Sequence, residues 1–408
     1  MKKDLDRLME ERGLDAAVLS GSVEGNPNMV YMLSGAHVSG GTVIKKRGEE
    51  PVFLHSPIER DEAKASGLEL INTIKYDFMS ILREKGDPLE AQIEFHRRVY
   101  AELGVQGRVG YYGTSDQGRA HVFLSKLDQE LPDIQVQGEF DEGLFEVARA
   151  TKDADEVVMI KEVARLTAEV MTATMDFVRG HRVEDETLMT DDGTPLTIGM
   201  VHKHIGRLLA ERRMEDPGGV IFAIARDAGV PHSRGTPEDP LRLGQTIIYD
   251  LFPRKANGYH FDCTRTFCLG YAPPEVEKTY QEVKQCVDTV IDAVKVGLEA
   301  RSLQQLTCEF FEDLGHATVG SDSKVEEGYV HSIGHGLGLA VHEEPWFTDA
   351  PSNDRLLEPG HVFTVEPGLY YPDSGGYGVR IEDVVWIDEQ GEVHNLTDVP
   401  YQLVLEMS

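Results

Sequence analysis

Five residues in the second half of the chain carry side chains suited to a divalent-metal site: Asp250 in IIYDLF, Asp262 in HFDCTRTF, His335 in SIGHGLGL, Glu366 in FTVEPGLY and Glu382 in GVRIEDVV. Each lies in an apolar or glycine-rich, strand-like stretch. Four carboxylates buried together repel one another and each loses its hydration, so the cluster calls for cations. Two divalent ions would cancel the four negative charges. With mostly oxygen donors, one imidazole nitrogen and no thiolate, the set suits manganese better than zinc, which more often takes His and Cys.

Taken singly, each motif has an ordinary reading. A lone Asp in a strand is more often an edge or turn residue than a ligand. The glycine run Gly334 to Gly338 could cradle phosphate, but it lacks a strand-turn-helix setting and a P-loop lysine. EPG at 366–368 could be a plain turn. Their joint occurrence in one order argues for the metal site.

The local elements must bring these residues together. Gln245 to Phe252 and Tyr259 to Leu269 read as strands joined by the turn-rich PRKANG, so they should pair as a hairpin and approximate Asp250 and Asp262. Asp262 and Thr264 share a strand face, which would let the Thr hydroxyl support a metal-bound carboxylate. Arg380 and Glu382 likewise share a face, placing Arg380 where it can orient a carboxylate or meet substrate. Cys263 should face away.

Residues 4 to 12 have helical spacing, and AAVLSG, NMVYMLSG, AHVSGGTVI and PVFLHS read as short strands, with helical patterns around 57–66 and 89–103. This α/β unit ends near EVARATKDADEVV, where Thr151 and Asp153 are candidate caps. Val157, Ile160, Ala164 and Ala168 then predict a long amphipathic helix. Helices near 198–213, 274–297 and 303–314 alternate with antiparallel strands, an α+β pattern. Two domains are expected, 1–143 and 144–408. LMTDDGTPLTIGM at 188–200 reads as a local insertion shaping an interface or the cleft.

From about Glu146 to Ser408 the ordered motifs resemble the pita-bread metallopeptidases, the family of aminopeptidase P, prolidase, methionine aminopeptidase and metal-free creatinase. Upstream, Asn28 to Gly35 is similar to the N-x-x-Y-L-[ST]-G element of the creatinase and prolidase branch, with Met32 intervening. Short methionine aminopeptidases lack that domain, so its presence favours the proline-directed relatives. The resemblance implies a C-terminal pita-bread catalytic domain with a curved antiparallel sheet, preceded by a smaller α/β creatinase-type N-terminal domain. Its aspartates usually have ten residues between them; here there are eleven, the extra one falling before Gly258 in the turn.

By the same resemblance Asp250 chelates one ion, His335 and Glu366 hold the other, and Asp262 and Glu382 bridge both. Manganese is expected, with cobalt, zinc or iron as alternatives. Glu366 would also accept a proton from the attacking water. His331 is placed like the proton-shuttling histidine of aminopeptidase P, His342 like a substrate contact, and His232 in GVPHSRGTP like the histidine that meets the scissile group. Tyr370 fits the EPGLY element, and Arg380 is a further catalytic candidate. The remaining histidines, such as His96, His121, His202 and His204, read as surface or core residues.

The implied activity is hydrolysis of Xaa-Pro peptide bonds by a metal-bridging hydroxide, as an aminopeptidase P or a prolidase. An X-Pro bond lacks an N–H and asks for a dedicated pocket. Two alternatives stay open: a pita-bread hydrolase or lyase acting on a non-peptide small molecule, and a non-catalytic peptide-binding relative, which should have lost ligands. A homodimer is implied by the resemblance alone.

Composition narrows the partners. The chain of 408 residues has 71 acids against 40 Lys and Arg, a formal charge of −31, which argues against nucleic acid and against an anionic membrane surface. Arg outnumbers Lys and the acids are dispersed, as in a solvated shell suited to a salt-rich cytoplasm. The cysteines, Cys263, Cys268, Cys286 and Cys308, form no CxxC pair, and no apolar stretch is long enough to cross a bilayer. A cytoplasmic enzyme acting on small peptides is expected.

Overall fold

In the computed structural model, which describes residues 4–407, the chain folds as two units, Met1–Arg149 and Ala150–Ser408. The outer limits of the expected domains, residues 1 and 408, lie outside the described residues. Their expected junction at 143/144 precedes the helix Leu144–Ala150, and the division runs before that helix's last residue.

The first unit holds a six-stranded mixed sheet in the order Glu69–Asn72, Val52–His55, Gly40–Lys46, Ala16–Ser22, Gly107–Gly113, Ile134–Gln137. Its central strand opens with Ala16, Ala17, Val18 and Leu19, all buried, so both faces are covered and the run is continuously apolar rather than alternating. Ile93 and Tyr100 from the helix Pro88–Leu103 and Leu127 from Gln117–Glu130 pack on Val18, Ile44, Leu54 and Val109.

Two expectations fail here. NMVYMLSG is not a strand: Pro27–Met32 is a helix, with Pro27 in its first turn and the Asn26 side chain accepting the Met29 N–H at 3.3 Å. The stretch 57–66 is not one helix but two 3₁₀ turns, Pro57–Glu59 and Glu62–Ser66.

The second unit opens on the long helix Ala154–Arg179. Its cap is Asp153, which accepts the N–H groups of Asp155 and Glu156 while the Glu156 carboxylate accepts the Asp153 N–H at 3.0 Å, a reciprocal capping box. Thr151 instead bridges His361. One sheet runs Ile221–Ile224, Thr246–Leu251, Cys263–Leu269, Val404–Leu405; another runs Glu343–Trp346, His335–Gly336, Val362–Val365, Asp383–Ile387, Val393–Asn395; Gly368–Tyr371 pairs with Tyr377–Arg380 as a hairpin. These pairings are antiparallel except for Cys263–Leu269 with Val404–Leu405.

Helices Pro274–Ala293 and Arg301–Asp313 cover the sheets, joining Val283, Val287, Leu303 and Phe311 to Phe363, Val379, Ile381 and Val385 in one core. The architecture is α+β, as expected. The segment 188–200 closes a hairpin, Thr187–Met189 against Arg182–Glu184, and then enters the helix Ile198–Glu211. No helix among the described residues is long and apolar enough to cross a membrane.

Candidate metal centre

The expected hairpin forms, with Asp250 in register with Thr264 and Asp262 one residue ahead of the second strand. Between them Arg254–Lys255 pairs with Met214–Glu215, and the chain turns at residues 256–258, where Gly258 takes φ +90°. A side chain there would be strained. Glu382 arrives from another segment, its N–H donating to the Thr264 carbonyl at 3.1 Å. Thr264 Oγ1 then donates to Glu382 Oε2 at 2.7 Å, so the carboxylate that the threonine supports is that of Glu382. The period of two gave the correct face, but the partner across that face comes from elsewhere in the chain.

Arg380 is 3% exposed and distributes its guanidinium among several acceptors. Nη2 donates to Asp250 Oδ2 at 2.6 Å, Nε to Thr264 Oγ1 at 3.1 Å, and Nη1 to the Tyr370 hydroxyl at 3.0 Å and the Pro231 carbonyl at 3.2 Å. It therefore fixes a candidate ligand rather than standing free for substrate.

His335 sits on a two-residue strand pressed between neighbours. A Cβ on Gly336 would lie 2.0 Å from the Glu344 carbonyl oxygen, so only glycine permits the approach. The His335 N–H donates to Thr364 Oγ1 at 3.0 Å and its ring Nδ1 donates to the Gly336 carbonyl at 3.1 Å. That leaves Nε2 facing Glu366 Oε1 at 3.3 Å and Asp262 Oδ2 at 3.9 Å. These contacts have ion-pair distances, but burial pushes the imidazole down to about 3, so the ring is neutral and its lone pair points at carboxyl oxygens.

The carboxyls are correspondingly frustrated. Burial pushes Glu366 up to about 8. Asp262 and Glu382 are driven well above the carboxylate range, first by burial and then by neighbouring carboxylates, Glu382, Asp250 and Glu366 acting on Asp262, and Glu366 and Asp250 on Glu382. Asp250 Oδ1 and Asp262 Oδ1 are buried without a hydrogen-bond partner. Donor atoms of Asp262, His335 and Glu382 lie within 4.8 Å of one another. Orphaned carboxylate oxygens around a neutral imidazole lone pair fit a hard divalent cation.

The other candidates divide by exposure. His331 is held neutral by burial, down to about 4. Its Nδ1 donates to the Ser332 carbonyl at 2.7 Å, so Nε2 accepts from the Tyr370 hydroxyl at 2.8 Å. Tyr370, fully buried, thus bridges Arg380 and His331. His342 is exposed, its ring centroid 4.2 Å from that of His335. His232 is also exposed and lies close enough to His331 and His342 to add to the downward shift that burial gives both. Cys263 is buried, and burial pushes its thiol up, away from reactivity.

Sequence reasoning passed over Lys152 and Glu343, whose side chains, 1% and 2% exposed, pair at 2.7 Å. It also passed over Arg265, whose Nη2 donates to the buried Asp383 at 2.9 Å and whose Nη1 donates to the carbonyls of Thr264 and Glu382. The available signal was a charge inside or beside an otherwise apolar stretch, as in CTRTF and IEDVV.

Residues 158–389 match the model of metallopeptidase family M24. The chain is 33% identical over 186 residues to the "Probable dipeptidase PepE" of Mycobacterium tuberculosis, spanning about half of that relative (46% of each chain). It is 24% identical over 398 residues to the "Xaa-Pro dipeptidase" of Pyrococcus furiosus, covering 96% of this chain and 97% of the relative. Among solved structures it is similar to the prolidase from Pyrococcus horikoshii OT3, with TM-score 0.72, 22% identity and 98% of each chain covered. The Xaa-Pro dipeptidase from Bacillus anthracis gives TM-score 0.75 at 22% identity over 99% of each chain. These structural likenesses establish the pita-bread α+β fold.

Proposed function

We propose that this chain, which belongs to metallopeptidase family M24, hydrolyses Xaa-Pro peptide bonds with two divalent ions held by Asp250, Asp262, His335, Glu366 and Glu382. The observation that carries the reading is the convergence of Asp262, His335 and Glu382 within 4.8 Å, with the imidazole neutral and the carboxyls strained toward protonation. Manganese is our assignment, on the oxygen-rich donor set. When bound, such ions supply Lewis acidity and bring the pKa of water toward neutrality.

The chain's own groups then have distinct tasks. Glu366, whose Oε1 lies 3.3 Å from His335 Nε2, takes the proton of the attacking water. Arg380 keeps Asp250 aimed at the centre. His331 does not act alone: its Nε2 already accepts from Tyr370, so a proton moving toward the leaving nitrogen passes through the Tyr370 hydroxyl. The exposed His232 and His342 contact the substrate and support the developing oxyanion.

The names of the relatives, a dipeptidase and an Xaa-Pro dipeptidase, favour dipeptides over longer peptides. A reducing, cytoplasmic setting belongs to the same reading, supported by four buried free thiols, and so does a homodimer, supported by the family resemblance.

The test is cleavage by manganese-loaded protein in high KCl of an Xaa-Pro dipeptide and an Xaa-Pro-Yaa tripeptide, followed by mass spectrometry. Cutting of the dipeptide alone is expected. Release of the first residue from the tripeptide would make it an aminopeptidase. If neither is cut while two ions are bound, the peptidase reading fails in favour of a non-peptide substrate.

A further inference from the structure

Lys152 lies just ahead of the capped helix Ala154–Arg179, yet its amine points inward. Nζ lies 2.7 Å from Glu343 Oε1 as an ion pair and donates to the Ala150 carbonyl at 3.0 Å, while the Lys152 N–H donates to the Gly360 carbonyl at 2.8 Å. The other Glu343 oxygen accepts the Ala340 N–H at 3.2 Å. The pair is thus built from both ends into main chain that would otherwise be free to shift.

The turn 338–343 lies against this pair. A Cβ on Gly338 would come within 2.4 Å of Glu343 Oε1 and 2.8 Å of Lys152 Cε, so the backbone there lies close against both side chains. The Gly338 carbonyl accepts the His260 N–H at 2.8 Å, tying the turn to the hairpin that carries Asp262. Two groups of the candidate centre depend on the same turn. His342 precedes Glu343 in sequence and its ring centroid lies 4.2 Å from that of His335, while Gly336, whose carbonyl accepts from the His335 Nδ1 at 3.1 Å, pairs in register with Glu343 itself. That carbonyl holds the proton on Nδ1 and so leaves the Nε2 lone pair toward Asp262 and Glu366.

We infer that the Lys152–Glu343 ion pair is a positioning device for the metal centre, holding the turn 338–343 so that the tautomer and aim of His335 and the place of His342 are fixed. The inference rests on reading His335 as a metal ligand. Neither residue touches the reacting atoms. An ammonium and a carboxylate suit the task because Glu343 faces the Lys152 ammonium with one oxygen and accepts the Ala340 N–H with the other. Glutamine offers one acceptor and one donor, so Glu343→Gln necessarily loses one of the two contacts.

The experiment uses the full chain carrying Glu343→Gln, with Lys152→Met as a second variant, each first shown to be folded. In metal-free protein, ¹⁵N NMR of the histidine rings should show His335 losing its single Nδ1–H tautomer, and amides of 336–343 should exchange faster while those of Pro274–Ala293 do not. Manganese titration followed by electron paramagnetic resonance should give an affinity weaker by about tenfold or more, the range for groups that orient ligands. The kcat at saturating manganese should fall with KM little changed.

A lower melting temperature with the His335 tautomer, turn exchange and manganese affinity all unaltered would reduce the pair to plain structure and overturn the inference. If the unmutated protein takes up no manganese, the metal reading fails separately, and the tautomer and exchange measurements still decide whether the pair holds the turn.

Discussion

Removing divalent ions should make the second unit less stable as pH rises from 7 to 8. Glu366, pushed up to about 8 by burial, keeps a proton at pH 7 in the folded chain that the unfolded chain has already released. The folded state therefore binds more protons, and stability falls with pH by up to about 1.4 kcal/mol per unit for each such group, the slope from Glu366 halving as the pH reaches about 8. Asp262 and Glu382 are shifted in the same direction and steepen the fall. Buried histidines have the opposite sign: His331 and His260, down to about 4, and His335 and His361, down to about 3, stabilise the fold as pH rises toward 6.5. Above that value both states carry them neutral, so the window from 7 to 8 isolates the carboxyls.

Urea unfolding of chelator-treated protein, read by tryptophan fluorescence, tests this directly, because Trp346 and Trp386 both lie in the second unit. The expected slope is at least about −1.4 kcal/mol per pH unit without metal. In saturating manganese it should be flat or rising, since the ion replaces protons and stabilises by mass action. A flat or rising slope in the metal-free protein would refute the reasoning, because the carboxyls would then be ionised and comfortable without a cation.

Further substitutions separate the roles of the site residues. Glu366→Ala should abolish turnover and lower metal stoichiometry, measured by elemental analysis after gel filtration. Arg380→Ala strips the partner from the buried Asp250 carboxylate, and loss of one member of a buried pair typically costs about 3–5 kcal/mol, visible in the urea midpoint. Tyr370→Phe and His331→Ala should each slow turnover while leaving metal content intact, and the two effects should not add, since one hydrogen bond joins them. Activity lost on transfer from molar KCl to dilute buffer would support a high-salt origin for the charge of −31, whereas indifference to salt would remove it.

What was legible in the sequence follows from range. Asp250 and Asp262 could be approximated because a hairpin is a local device, two strand-like runs around a turn. The period of two could put the Thr264 hydroxyl on a ligand-bearing face but not say which carboxylate it meets, because its acceptor, Glu382, lies 118 residues away and no periodicity carries that contact. NMVYMLSG misled through its β-type residues, although Asn26-Pro27 at its head was a helix-start signal that outweighed them. The helix Gln117–Glu130 escaped notice because Leu127 is its one fully buried position, too little apolar pattern for a stripe. Lys152 read as part of a boundary, since sequence alone does not say that a lysine next to a cap turns inward.

The pairing of buried charges in the second unit also bears on the number of ions. Lys152 is matched by Glu343, Arg265 by Asp383 and Arg380 by Asp250, at 2.7, 2.9 and 2.6 Å. The proposed ligand acids are therefore not four unpaired charges: Asp250 already has a guanidinium, and Asp262, Glu366 and Glu382 are left without a cation of their own at comparable distance. One divalent ion would leave that trio net negative, with each carboxyl still resisting ionisation. Two would leave a single positive charge in a buried site, which favours an anionic nucleophile and a developing oxyanion over neutral water and a neutral carbonyl. The proposed pair of ions thus accounts both for the strained carboxyls and for chemistry that accumulates negative charge. Replacing Arg380 with a neutral residue tests the link: it restores the fourth unpaired carboxylate, removes that surplus, and should therefore depress kcat even where two ions remain bound.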